Sequence, residues 1–75
     1  MNICAPFAGI VRYRIAAGQV VEAGQVIASV EATKLESPVA TPWPGVVTSL
    51  AHADFDDVHG GDVLAVVGAS ESGAA

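Results

Sequence analysis

The sequence predicts an all-β fold, a flattened barrel or sandwich of two similar sheets related by a pseudo-twofold axis. Three observations carry that prediction. Short runs rich in Val, Ile and Ala are punctuated by Gly or Pro, the run pattern repeats within the chain, and helix-length apolar periodicity is absent apart from a weak trace over 49–54.

The runs follow in order. IVRYRI (10–15) alternates Val11, Tyr13 and Ile15 with Arg12 and Arg14, the signature of a strand with one wet face. QVIASV (25–30), SPVAT (37–41), VVTSL (46–50) and DVLAVV (62–67) complete the set of predicted strands. Gly18, Gly24, Gly60 and Gly61 fall between runs, where tight turns need positive φ or close backbone approach.

The repeat sets the architecture. APFAGIV (5–11) aligns with TPWPGVV (41–47) at an offset of 36, and GQVIASV (24–30) aligns with GDVLAVV (61–67) at an offset of 37. In the same frame Val21 falls on Val58, and Phe55 stands where the repeat expects a glycine equivalent to Gly18. Neither half can bury its apolar face alone, so the two must pack face to face.

Size and composition bound the function. Seventy-five residues make one small domain, because a core of this size buries only about 60% of the surface its unfolded chain exposes. A hydrophobic content of 52% with 15% charged residues indicates a folded module rather than a disordered one. The formal charge of -5, with Arg12, Arg14 and Lys34 as the only Lys and Arg residues, offers no basic stripe for nucleic acid or anionic lipid. No apolar run approaches the roughly 18 residues that span a bilayer, and MNICAPFAG lacks the basic and long apolar regions of a signal peptide. A cytoplasmic location is therefore expected. A single cysteine, Cys4, excludes an internal disulfide, and with no neighbouring base it reads as a small semi-buried thiol near the first strand.

EATKLESPV (31–39) lies at the junction of the two halves and contains Lys34, the only lysine. The link from Val30 to Val39 must reverse direction, which puts Thr33 and Lys34 near the tip of a hairpin. A charged amine contributes nothing to a core, so this lysine is expected in solvent on a rigid base.

From about Ala5 to Val67 the chain resembles the biotinyl/lipoyl carrier domain family. The resemblance rests on five motifs in order: Pro6-Phe7-Ala8-Gly9, the Gly18 to Ile27 segment, Glu31-Ala32-Thr33-Lys34-Leu35, Thr41-Pro42-Trp43-Pro44-Gly45, and Gly61-Asp62-Val63-Leu64. It implies two four-stranded sheets in a barrel-sandwich hybrid, with the carrier domain over 1–68 and a flexible tail over 69–75. It also implies that a ligase amidates Lys34 with a prosthetic acid and that Glu31, Ala32, Thr33 and Leu35 frame the attachment site.

The family divides by the acid carried. Biotin carriers have Glu-Ala-Met-Lys-Met at the hairpin, and lipoyl carriers have Glu-Thr/Ser-Asp-Lys-Ala or Val. This chain keeps Glu31 and Ala32 as in biotin carriers, but Thr33 and Leu35 replace the two methionines. The compact APFAGIV opening favours biotin, and no thumb-like insertion lies between Ile15 and Gly24, as in the thumbless carriers of acyl-CoA carboxylases. The implied function is a swinging-arm carrier, not an enzyme. It is loaded by biotin protein ligase and shuttles carboxybiotin between a biotin carboxylase and a carboxyltransferase, as a monomer in isolation. The alternative is lipoate on Lys34, attached by a lipoyl ligase, for acyl transfer in a 2-oxo acid dehydrogenase-type or acyltransfer pathway. An unmodified scaffold domain is a third reading. An enzyme fares worst, because the chain shows no paired acid and base, no nucleophile constellation and no Gly-rich phosphate loop.

The remaining polar and aromatic residues have plainer expectations. Glu31 and Glu36 either guide a ligase or partner, or discourage edge-to-edge pairing. Asp54, Asp56 and Asp57 lack the continuation of a calcium loop, and His52 and His59 lack metal-ligand spacing. Phe55 is expected to pack over its own loop. Trp43 caps a barrel end or offers a docking surface.

Overall fold

A computed structural model, which describes residues 1–69, contains eight strands and no helix among the described residues. They are β1 (Asn2–Cys4), β2 (Gly9–Tyr13), β3 (Val20–Val21), β4 (Val26–Glu31), β5 (Glu36–Ala40), β6 (Gly45–Leu50), β7 (Asp57–Val58) and β8 (Val63–Gly68). Two four-stranded antiparallel sheets result, one in the order β1-β8-β6-β3 and the other in the order β5-β4-β2-β7. The weak helical trace over 49–54 is not a helix: β6 runs to Leu50 and a turn follows. The tail beyond Ala69 lies outside the described residues.

The repeat becomes a symmetry of the fold. Shifting β1, β2, β3 and β4 by 36 or 37 positions lands on β5, β6, β7 and β8, and each sheet thereby maps onto the other. Buried residues match in the same way: Ile3 with Val39, Val11 with Val47, Val21 with Val58, Ile27 with Leu64, Ala28 with Ala65 and Val30 with Val67. Ala5 matches Thr41, a buried threonine whose Oγ1 donates to the Trp43 carbonyl at 2.8 Å and accepts from the Trp43 amide at 3.2 Å. Its polar atom is therefore satisfied inside the core, as a buried hydroxyl requires.

Turn hydrogen bonds are duplicated as well. The Gly24 amide donates to Thr41 O at 2.7 Å, and the Gly61 amide donates to Ala5 O at 2.8 Å. Gln25 Oε1 accepts from the Glu22 amide at 3.0 Å, while Asp62 Oδ2 accepts from the His59 amide at 2.8 Å. An amide side chain in one half and a carboxylate in the other thus close equivalent turns, since both offer an oxygen to the amide three residues back.

The Pro-x-x-Gly openings end in Gly9 and Gly45, where strands approach too closely for a side chain. A Cβ on Gly9 would run into the Glu31 carbonyl, and one on Gly45 would run into the carbonyl of Gly68. The symmetry breaks at Phe55. Gly18 has φ +90°, its amide donating to Val47 O at 2.7 Å; Phe55 has φ +69°, its amide donating to Val11 O at 2.8 Å. A left-handed backbone costs a side-chain-bearing residue about 1–2 kcal/mol.

Phe55 does not pack into its loop as expected. It is 61% exposed, and the Arg12 guanidinium carbon lies 4.6 Å from its ring centroid. An exposed cation–π contact contributes about 0.5–1 kcal/mol, at most the lower end of that backbone cost. Cys4 also departs from expectation: it is exposed on β1 rather than semi-buried, because Ile3 takes the inward position of that short strand.

Tyr13 ties the Phe55 loop to the body. Its hydroxyl donates to Leu64 O at 2.7 Å and accepts from the His52 amide at 3.3 Å, and its own amide donates to Asp54 Oδ1 at 2.8 Å. Burial raises the phenol pKa above 10.0; the His52 amide partly opposes this, and Asp56 and Asp54 add to it. A raised pKa in the folded state favours folding fully below the unfolded value and ceases to do so as pH rises through the folded one.

Two expectations follow for stability. Gly45→Ala should lower the urea-unfolding free energy by about 1–3 kcal/mol through forced overpacking. Gly60→Ala, whose added Cβ meets only an ordinary 3.4 Å contact with Phe7, should stay within about 0.5 kcal/mol of the original. Phenolate absorbance reports Tyr13 alone, since the chain has one tyrosine. Its midpoint should lie above 10 in the folded protein, and Tyr13→Phe should remove this group's share of the alkaline loss of stability.

Candidate functional site

Strand β4 carries the chain out of the core to Glu31, and β5 returns it from Glu36, its register partner. Between them the Ala32 amide donates to Leu35 O at 2.7 Å and the Leu35 amide donates to Ala32 O at 3.4 Å. Thr33 and Lys34 are therefore the two tip residues of a tight hairpin. Phe55 is the only non-glycine with positive φ among the described residues, so neither tip residue takes the left-handed backbone of the commonest two-residue hairpins. Pro38 is accommodated because β5 is an edge strand and its missing donor interrupts no ladder.

The hairpin grades from core to solvent. Val30 is fully buried, Glu31 and Ala32 are partly covered, and Thr33, Lys34, Leu35 and Glu36 are exposed. Leu35 leaves 62% of its surface in water, so an apolar group stands immediately beside the lysine. Among the described residues Arg12 pairs with Glu31, His52 Nδ1 lies 3.8 Å from Asp56 Oδ2 and His59 Nδ1 lies 3.7 Å from Asp62 Oδ2, and none of these contacts involves Lys34. A shallow open groove runs along the hairpin base between Glu31, Ala32 and Thr33 on one side and Asp57, Val58 and His59 on the other.

The five residues expected to frame the site, Glu31, Ala32, Thr33, Lys34 and Leu35, thus lie together on one hairpin. Of the flanking acids, Glu36 sits on the edge strand β5, whereas Glu31 ends the interior strand β4 and meets Arg12 Nη1 at 3.4 Å. Trp43 lies in the β5–β6 connection, 37% exposed and held by its backbone to Thr41. No group of three or more metal-ligating side chains occurs among the described residues. Sequence reasoning did not anticipate the Phe55–Arg12–Glu31 chain of contacts, whose members lie far apart in sequence; the alternation of Arg12 with apolar neighbours showed only that it faces outward.

Two pseudo-symmetric four-stranded sheets packed face to face define a barrel-sandwich domain. A family model described as "Biotin-requiring enzyme" matches residues 1–67, and the chain belongs to that biotinyl/lipoyl family. Over 50 residues it is 38% identical to the urea amidolyase of Saccharomyces cerevisiae, a match covering 67% of this chain and 3% of that protein. The urea carboxylase of Kluyveromyces lactis superposes with a TM-score of 0.80 at 31% identity, over 89% of this chain and 6% of that one. A single-chain long-chain acyl-CoA carboxylase gives 0.85 at 24% identity, over 93% and 7%. An aspartoacylase family protein from Mesorhizobium loti gives 0.83 at 16%, over 92% and 25%. At those lower identities the likeness concerns the fold alone, which hosts unrelated activities.

The Arg12–Glu31 pair is half-exposed at both ends. Glu31→Gln should therefore shift the unfolding free energy by less than about 0.5 kcal/mol in urea titration.

Proposed function

We propose that this chain is the biotin-bearing carrier domain of a carboxylase, with biotin joined in amide linkage to Lys34. The observation that carries the reading is the lysine itself: the only one in the chain, exposed at the two-residue tip of the junction hairpin and free of ion pairs among the described residues. An ε-amine so presented can enter a ligase pocket, lose its proton there and attack an activated acyl group. Exposed Leu35 and the short Ala32 beside it suit an apolar acyl arm and leave access to the amine open.

When bound, biotin supplies a nitrogen that accepts a carboxyl group at one active site and gives it up at another. The chain's contribution is mechanical. Paired strands hold the tip fixed, and the long lysine side chain provides reach. Tethering also replaces free diffusion by a high local concentration, provided that the arm spans both sites. Biotin protein ligase, a biotin carboxylase and a carboxyltransferase are the partners this role requires. Two relatives above 30% identity are a urea amidolyase and a urea carboxylase, which favours a urea-type amide as the acceptor over the acyl-CoA implied by the thumbless resemblance.

Intact-mass measurement of the protein isolated from its own source, followed by peptide fragmentation, tests the reading. A biotin-sized addition on Lys34 is expected, and a lipoyl-sized addition or an unmodified lysine in cells whose other carriers are loaded would overturn it. Lys34→Arg should abolish loading and carboxyl transfer while leaving the unfolding midpoint unchanged.

A further inference from the structure

Phe55 presents an anomaly that neither the core nor the hairpin tip explains. Its backbone keeps the left-handed geometry of its symmetry mate Gly18 and makes the equivalent hydrogen bond, so the position suits glycine. A large aromatic ring stands there instead, mostly in water, with the Arg12 guanidinium carbon 4.6 Å from its centroid. Strain retained in this way is a mark of functional positions. The guanidinium leads onward, because Arg12 Nη1 also lies 3.4 Å from Glu31 Oε1 at the base of the lysine hairpin.

Strand register shows what Glu31 faces apart from Arg12. Val11 and Val30 point into the core, which puts Arg12 and Glu31 together on the outer face of their sheet. On the β2 side Glu31 stands opposite Ile10, an apolar residue, and on the β5 side it stands opposite Glu36, a like charge. Like charges opposed on paired strands are destabilising. Arg12, opposite Ser29 and therefore diagonal to Glu31, supplies the missing cation. The other two Lys and Arg residues are Arg14 and Lys34. Arg14 lines a groove with Glu36 and not with Glu31, whereas Lys34 lines the shallow cleft of the hairpin together with both glutamates. Lys34 is thus the alternative partner for Glu31, yet none of the ion pairs among the described residues includes it.

We propose that Phe55, Arg12 and Glu31 form a positioning relay that holds the Glu31 carboxylate off the Lys34 amine, so that the lysine meets its ligase unpaired. This inference deepens the carrier reading and rests on it. Loading joins Nζ to an acyl carbon as the bond from that carbon to its activating group breaks. The leaving group departs with the bonding electrons, and the ammonium sheds two protons on the way to a neutral amide. A carboxylate paired with the ammonium opposes the first of those losses and must be displaced before attack. Arg12 occupies that carboxylate, and the Phe55 ring limits where the guanidinium can go.

The test needs no ligase. The unmodified chain is treated with a water-soluble active ester at fixed pH and low salt, and acylation of Lys34 is followed by peptide mass. Arg12→Gln frees Glu31 and should slow acylation about two- to fivefold, the factor that an exposed ion pair carries, and the loss should shrink as salt rises. Adding Glu31→Gln to that variant should restore the original rate. Phe55→Gly, which loosens the guanidinium without removing it, should fall between the original and Arg12→Gln. Arg14→Gln, which removes the same charge without touching the relay, should react like the original. An original rate in Arg12→Gln or Phe55→Gly, no rescue in the double variant, or an equal loss in Arg14→Gln would overturn the proposal. Biotin protein ligase should rank the same variants in the same order by kcat/KM. Its failure to load the original chain would instead overturn the carrier reading, leaving the acylation result to stand by itself.

Discussion

The mutual burial of two half-sized apolar faces is the constraint on which everything else in this structure depends. Val11, Val21, Ile27 and Val30 come from one half, and Val47, Val58, Leu64 and Val67 are their symmetry mates. Burial of a Val, Ile or Leu side chain contributes about 1.5–3 kcal/mol, which no isolated half could collect, since each would leave its apolar face in water. Both sheets mix strands from the two halves: β1 and β3 lie with β6 and β8, while β5 and β7 lie with β2 and β4. Neither repeat therefore completes a sheet without the other, and core packing and strand pairing impose the same cooperativity.

Departures from the symmetry are few and fall close together. Strands β4 and β5 are joined by the lysine-bearing hairpin, but their mates β8 and β1 are not joined to one another, so the hairpin occurs once. Gly18 has become Phe55 in the second half. Charges on the strands lie in one sheet and are absent from the other. Each departure costs the fold little or weakens it, and all three meet on one side of the molecule: the Phe55 ring stacks on Arg12, and Arg12 meets Glu31 at the hairpin base.

Much of this was legible in the sequence because the information was periodic. Five runs between Gly and Pro residues coincide with β2, β4, β5, β6 and β8 to within one or two positions, and the offsets of 36 and 37 gave the pseudo-twofold before any coordinates. Strands of two residues leave no period to read, which is why β3 and β7 showed only as the Val21–Val58 correspondence, and β1 escaped although Ile3 is the mate of Val39. The hairpin was legible because a lone lysine between two apolar strands has nowhere to go but solvent. Phe55's backbone was foreshadowed by its alignment with Gly18. Its ring's partner was not, since a side chain's surface contact across 43 positions leaves no trace in local pattern.

If Lys34 carries the proposed prosthetic group, the geometry of the hairpin explains why so small a domain suffices. Tight closure by Ala32 and Leu35 leaves only Thr33 and Lys34 beyond the last hydrogen-bonded pair, so the tip adds almost no slack of its own. Flexibility is confined to the lysine side chain and whatever it bears. A fixed base makes the position of the amine a function of how the β5-β4-β2-β7 sheet is oriented, so a partner that grips that face also aims the arm. Were the tip a long loop, docking the body would specify the arm's origin poorly and dilute the local concentration that tethering provides. On the reading proposed above, rigidity of the sandwich is part of the transfer function itself, and the buried residues on β4 and β5 that hold the hairpin's base serve it without touching any substrate.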